Sequence, residues 1–284
     1  MPLVKALNTI NILEISVLVF PFCNNGNTGR IHSVFEHSLN IAINGHLMHI
    51  SSRQGFISGF GITILRNDFD ILRRCVRVQD VVVLKKESFM IYSQSGVFKF
   101  VGGITRNLEA KPLQWKYNKD DLDILCQCFR DVLDAKVLGL GSVAELEKVK
   151  QLLVMQKCSK EAFGQMVTFL TGRGLGLTPS GDDILLGYCF GLMIFDKGFV
   201  REFLEAYLLF IDSHTTKISY EYLYALAKRR ISSPLLVLKN AIESRVIKDI
   251  ELATSAIATI GHTSGNDCLF GILLALEYIQ MNYE

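Results

Sequence analysis

Residues 176–187 read GLTPSGDDILLG, and residues 261–271 read GHTSGNDCLFG. With Pro179 set aside, the two align as Gly, any residue, Thr, Ser, Gly, Asp or Asn, Asp, any residue, Leu, any residue, Gly. Gly176, Thr178, Ser180, Gly181, Asp182, Asp183, Leu185 and Gly187 match Gly261, Thr263, Ser264, Gly265, Asn266, Asp267, Leu269 and Gly271. Each copy is a polar, Gly-rich turn that runs into an apolar stretch, ILLGYCFGLMIF in the first and CLFGILLAL in the second. That pattern describes a loop feeding the N-terminus of a buried helix. Such an end carries unpaired backbone N–H groups and a partial positive charge, which suits an anion. Two copies in one chain point to one site built from two halves.

Outward from the repeat, helical periodicity fills the second half of the chain. In KDDLDILCQCFRDVLDAK, Leu122, Leu125, Phe129, Val132 and Leu133 form one stripe, with Asp120, Asp121 and Asp123 in the first turn, where the helix dipole favours acids. Segments 143–156, 159–170, 199–211, 217–229, 234–244 and 247–258 also read as helices, and Pro234 fits a first turn after Ser232 and Ser233. Before residue 115 the signals are those of strands. SVFEHSLNIAI, Asn44-Gly45 and HLMHISS read as a hairpin, because Asn-Gly supplies the positive φ angles of a tight primed turn. FGITILR, VVVLKKESFMIYS and GVFKFVGGI are further strand candidates. The expected fold class is α+β: a β-rich N-terminal barrel or sandwich without intervening helices over residues 1–115, then an α-helical domain over 116–284 that carries both copies of the motif.

Composition excludes several function classes. The chain has 284 residues, 49% of them hydrophobic, enough for a core, and a formal net charge of +2 with no basic block. Nucleic acid is therefore not an expected partner. The N-terminal run INILEISVLVF carries Glu14 and lacks the features of a secretory signal, and the apolar run 184–195 is too short to span a bilayer. Seven scattered Cys residues show no zinc-ligand spacing. The expectation is a cytoplasmic protein with reduced thiols and no membrane partner.

Within the repeat, Ser180 followed by Asp183, and Ser264 followed by Asp267, form a Ser-x-x-Asp capping pattern. Capping alone accounts for the Ser and the last Asp. It leaves the preceding Thr, the second Gly, Asp182 and Asn266 without a purpose. A ligand site accounts for all of them. Backbone amides near Gly181 and Gly265, with the hydroxyls of Thr178, Ser180, Thr263 and Ser264, suit phosphate or carboxylate. Asp182, Asp183 and Asp267, the candidate catalytic residues, suit an amide or ammonium group, Mg²⁺, or a proton-transfer role. No cofactor beyond Mg²⁺ is suggested, and no metal ligand set is assigned. Neither phrase is a P-loop, since no GK[ST] follows. Between the copies, DSHTTKISYEYL (212–223) gathers Thr215, Thr216, Lys217 and Ser219 at a helix start. Lys217 matches an anion, Thr215 or Thr216 suits a cap, and a solvated turn explains the same residues equally well. Arg173 suits a carboxylate or phosphate clamp, with an ordinary surface charge as the plainer alternative. His262 lies inside the second copy and suits a ligand contact.

GLTPSGDDILLG, TTKIS and GHTSGNDCLFG together resemble the signatures of the bacterial family associated with the H subunit (AllH) of oxamate carbamoyltransferase, and GRIHSVFEHSLNIAINGHLMHIS resembles its opening. The resemblance implies a subunit that works with other chains to move a carbamoyl group between oxalurate and phosphate, in purine and allantoin catabolism. It carries over Thr178, Ser180, Gly181, Asp182, Asp183, Thr216, Lys217, Ser219, Thr263, Ser264, Gly265, Asn266 and Asp267 as motif positions, without roles. ISYEYLYALAKRR departs from it in being rich in Tyr and basic residues. The expected ligand is a small anionic, amide-containing metabolite or phosphate. The alternative is a non-catalytic subunit that binds a small anion or scaffolds, with the chemistry on a partner chain.

Overall fold

Asn44 and Gly45 hold φ angles of 51° and 81°, the paired positive values that an Asn-Gly hairpin turn needs. They join β3 (Ser38–Ile43) to β4 (His46–Ser51). The computed structural model describes residues 7–19, 26–85, 88–134, 136–155, 159–195 and 197–283. These residues group into two units, Met1–Leu108 with Arg230–Ser233, and Glu109–Arg229 with Pro234–Glu284.

In the first unit eight strands close a barrel. The order is β1 (Leu7–Ser16), β5 (Gly61–Ile64), β4, β3, β2 (Thr28–Val34), β6 (Val81–Lys85), β7 (Ser88–Ser93), β8 (Gly96–Val101) and back to β1. Most neighbours are antiparallel, but β1 runs parallel to β8 and β4 parallel to β5. A short β9 (Ile104–Arg106) continues along β1 beyond β8. Closure leaves no open edge between the eight strands. Alternating residues point inward, so Ile10, Ile31, Ile41, Ile50, Ile62, Val82, Ile91 and Phe98 meet in one core. Phe89 and Phe100 are direct cross-strand partners with stacked rings 4.2 Å apart.

Three details depart from the sequence reading. SVFEHSLNIAI is not one strand: β2 ends at Val34, Phe35 N–H donates to Ser38 C=O at 2.8 Å, and β3 begins. VVVLKKESFMIYS is likewise two strands, β6 and β7, with Lys86 and Glu87 outside the described residues. The barrel also contains a helix, α1 (Arg66–Cys75), whose Phe69 and Leu72 join the core. Its apolar residues Phe69, Leu72 and Val76 recur at i, i+3 and i+7, with Asp68 in the first turn and Arg73 and Arg74 in the last.

The remaining described helices are α2 (Lys119–Leu133), α3 (Val143–Leu153), α4 (Lys160–Leu170), α5 (Ser180–Ile194), α6 (Phe199–His214), α7 (Lys217–Ala227), α8 (Ser233–Ser244), α9 (Ile247–Ala258) and α10 (Ser264–Met281). Helix α2 begins with a full capping box between Asn118 and Asp121. Helices α5 and α10 are apolar on nearly every side and almost wholly buried. They pack together through glycines. A Cβ on Gly187 would lie 1.9 Å from the Cys268 carbonyl oxygen, and one on Gly271 would lie 2.1 Å from that of Ile184. The exchange is reciprocal, since Gly187 aligns with Gly271 and Ile184 with Cys268 in the repeat. Gly191 likewise abuts Ala275, its counterpart one turn on, with a Cβ position 2.6 Å from the alanine's. The repeated helices therefore cross about an approximate two-fold axis, each offering the other the same face.

Candidate functional site

The axis that relates α5 to α10 brings the two motif loops together. Thr178 Oγ1 and Ser264 Oγ, one from each copy, share a 2.8 Å hydrogen bond. Around this bond the aspartates are held in crossed fashion. The hydroxyls of Ser264 and Thr178 act on Asp183, and those of Thr263 and Ser180 act on Asp267. Each acid thus meets the Thr of its own copy and the Ser of the other.

The Ser-x-x-Asp phrases do not cap their helices. Pro179 and Thr263 occupy the N-cap positions, neither helix has a side-chain cap bond, and Ser180 and Ser264 are already the first helical residues. The second Gly of each phrase has a packing role. A Cβ on Gly181 would lie 2.1 Å from the Leu170 carbonyl oxygen, and one on Gly265 would lie 2.0 Å from that of Ile257. Only Gly lets each helix start against the end of the helix before it. The amides expected to bind an oxyanion are also engaged. Gly181 N–H donates to Arg173 C=O at 2.8 Å, and Gly265 N–H to Ile260 C=O at 3.0 Å.

Asp182, Asp183 and Asp267 are all buried, Asp267 completely. Asp182 Oδ1 accepts from the Gly172 amide at 2.9 Å, and Oδ2 accepts from the Thr215 hydroxyl. Asp267 Oδ1 accepts from the Gly139 amide at 2.9 Å. Asn266 Nδ2 donates to Val137 C=O at 3.2 Å. Burial pushes all three carboxyls above the usual range, Asp183 well above it, against the pull of these donors. The charges of Asp267 and Asp182 raise Asp183 further. Burial, then the Asp183 charge, also raises the Tyr222 phenol on α7. Among the described residues no Lys or Arg lies within 4 Å of these three carboxylates. Burial and the neighbouring acids thus both oppose ionisation, most strongly at Asp183.

The expected cations are placed otherwise. Arg173 pairs with Glu145 at 3.3 Å and lies 4.1 Å over the Phe169 ring. Lys217 pairs with Asp212 at 3.0 Å and lies 4.0 Å over the Tyr220 ring. His262 is exposed. Thr216 caps α7 by accepting from Ser219 N–H, and its hydroxyl donates to Leu177 C=O at 2.6 Å, tying the middle segment to the first motif loop. Ser219 is buried beside Asp182. Among the described residues no three His, Cys, Asp or Glu side chains are grouped as metal ligands, and no helix is long and apolar enough to cross a membrane. Cys75, Cys126, Cys128 and Cys268 are free thiols.

Sequence reasoning passed over Gly139. A Cβ there would lie 1.8 Å from Ser180 Oγ, 2.9 Å from Thr263 Oγ1 and 3.0 Å from Asp267 Oδ2. Polar atoms from both copies therefore converge where this residue has no side chain. The available signal was the short phrase LGLGS at 138–142, glycine-rich like the GRGLG that opens the first copy.

No solved structure gives a significant match to the chain. Residues 170–276 match the family described as "Oxamate carbamoyltransferase subunit AllH", and residues 11–100 match the "AllH family N-terminal domain". One match covers both motif copies and the middle segment, the other most of the barrel, and on that ground the chain belongs to the AllH family.

Proposed function

We propose that this chain is the H-type subunit of an oxamate carbamoyltransferase-like enzyme, and that the crossed motif loops hold the substrate while Asp183 and Asp267 manage its proton. In the reaction a phosphate oxygen attacks the carbamoyl carbon of oxalurate. The bond from that carbon to the oxamate nitrogen breaks, and the nitrogen takes up a proton as the phosphate gives one up. A buried carboxyl whose ionisation is opposed suits the departing nitrogen, to which it can donate a proton, while the phosphate releases its own proton to solvent. The observation that carries the reading is this pair, Asp183 and Asp267, each beside hydroxyls of both copies, in a chain whose family is named for carbamoyl transfer. Asp182 has a supporting role in it, fixing the Gly172 turn and Thr215.

The test is turnover of the reconstituted assembly. Asp183→Asn and Asp267→Asn should each abolish phosphate-dependent cleavage of oxalurate while leaving a cooperative melting transition. Full turnover in both variants rejects the role.

A second reading keeps the chain non-catalytic, with the reaction completed on a partner subunit. It draws on the engagement of the Gly181 and Gly265 amides in backbone hydrogen bonds and the pairing of Arg173 and Lys217 with carboxylates. Phosphorolysis of oxalurate by the isolated chain excludes this reading.

A further inference from the structure

We infer that the junction of the two motif loops recognises the primary-amide end of its ligand through buried acceptors, Asp183 Oδ2, Asp267 Oδ2 and Asn266 Oδ1, and that phosphate is not bound there. The inference rests on the functional reading above and deepens it by assigning which half of the reaction this chain holds. Three observations lead to it.

The first is a set of unmet acceptors. Asp183 Oδ2, Asp267 Oδ2 and Asn266 Oδ1 are buried, and none has a hydrogen-bond partner among the described residues. Their side chains are more than nine-tenths buried. Buried polar atoms are nearly always satisfied, and leaving one bare is costly. Asn266 Oδ1 accepts, and so does each carboxyl oxygen that carries no proton, so the missing partner brings donors.

The second is what the motif already binds. Asp182 takes the N–H of Gly172, and Asp267 takes the N–H of Gly139. Asn266 beside it donates to the carbonyl of Val137. The two adjacent residues of the second copy thus read one amide N–H and one amide C=O from the same short loop. The motif handles planar amides with its own backbone as the example, and a carbamoyl or carboxamide group presents the same array. A single NH2 brings two N–H donors, equal in number to the two bare carboxyl oxygens.

The third is charge. No cation of the described residues is near the acids, and the helix-end glycine amides are taken. A phosphate dianion here would face carboxylates across low-dielectric protein with nothing to offset the repulsion. Gly139 fits the same picture. Without a side chain it lets its own backbone amide approach Asp267 while Ser180 Oγ, Thr263 Oγ1 and Asp267 Oδ2 crowd the position of its missing Cβ.

The test compares oxamate with oxalate on the full chain by titration calorimetry. The two have nearly the same shape, but oxalate replaces the NH2 with an oxygen and offers no donor. Oxamate should bind, oxalate at least tenfold more weakly, and inorganic phosphate without measurable heat. Asp183→Asn, which turns one acceptor into a donor-bearing amide, should weaken oxamate at least tenfold while the melting transition persists. Oxalate or phosphate binding as tightly as oxamate overturns the inference, as does the absence of oxamate binding to the folded chain. The assembly assay separates the two claims. Turnover with phosphate alongside oxalate-tolerant binding retires this inference and keeps the functional reading. Amide-selective binding in an assembly that turns nothing over does the reverse.

Discussion

Thr178 and Ser264 are 86 residues apart and belong to different copies of the repeat, yet their hydroxyls meet at 2.8 Å. The bond lies where α5 and α10 begin, so it links the pairing of the two helices to the placement of Asp183. Symmetric packing below, through Gly187 and Gly271, therefore sets up crossed hydroxyls above.

That link is measurable. Thr178→Val and Ser264→Ala should each lower stability by about 1 kcal/mol. Because they break the same bond, the double variant should cost less than the sum by about 0.5 kcal/mol or more. Denaturant unfolding of the four proteins gives the cycle. Strict additivity would mean that the bond contributes nothing.

The acids predict a pH dependence with a definite sign. Asp183 titrates well above its ordinary value in the folded chain, chiefly through burial, and Asp182 and Asp267 are raised as well. The folded state therefore holds protons that the unfolded chain has released above about pH 4. Their stabilising contribution is complete below the unfolded value and disappears as pH rises through the folded one. The melting temperature should accordingly fall from weakly acidic toward alkaline pH. Asp183→Asn cannot titrate, so its profile should be flatter and should lie above that of the parent at pH 8. Asp182 and Asp267 leave a residual slope. A parent profile that rises over this range, or a variant with an unchanged slope, contradicts the assignment.

The helix-pairing glycines offer a third prediction. Gly187→Ala and Gly271→Ala place a methyl group about 2 Å from backbone oxygens of the opposite helix, and backbone cannot rotate away. Each should cost at least ~1–3 kcal/mol, the usual range for overpacking a core. Gly198→Ala meets nothing within 4 Å and should be close to neutral in the same melting experiment. Equal effects at all three positions would remove the close approach of α5 and α10 from the account.

Much of this arrangement was legible in the chain, and the gaps have one cause. The repeat announces two buried helices, and Asn44-Gly45 announces a hairpin, because both signals are local. Helix α1 was overlooked because its pattern is short and sits among strands. Ser180 illustrates the harder case. Ser-x-x-Asp encodes a cap when a helix end faces water, but here the first turn is buried against another copy of itself and the hydroxyl serves Asp267. Arg173 and Lys217 suit an anion by residue type, with a surface charge and a solvated turn as the alternatives, and their carboxylate partners, Glu145 and Asp212, hold no motif position that would announce the pairing. Burial and pairing across many residues decide such roles, and a single sequence does not state them.

Gly139 and Gly141 provide the last test, because two neighbouring glycines in one loop have opposite surroundings. Alanine at Gly141 meets nothing within 4 Å, whereas alanine at Gly139 would place its methyl group 1.8 Å from Ser180 Oγ. Ser180 can turn only by giving up its place beside Asp267, and otherwise the loop must lift and take the Gly139 amide away from the same carboxyl. Either adjustment removes a donor from Asp267 and raises its pKa further. Gly139→Ala should therefore lower the melting temperature by a few degrees, the consequence of a loss of about 1 kcal/mol. It should also cut turnover of the reconstituted assembly by about 10²-fold, as expected when a reacting group moves by about 1 Å. Gly141→Ala should match the parent in both measurements. If the two substitutions behave alike, the loop is only a connection, and Asp267 owes neither its position nor its protonation to it.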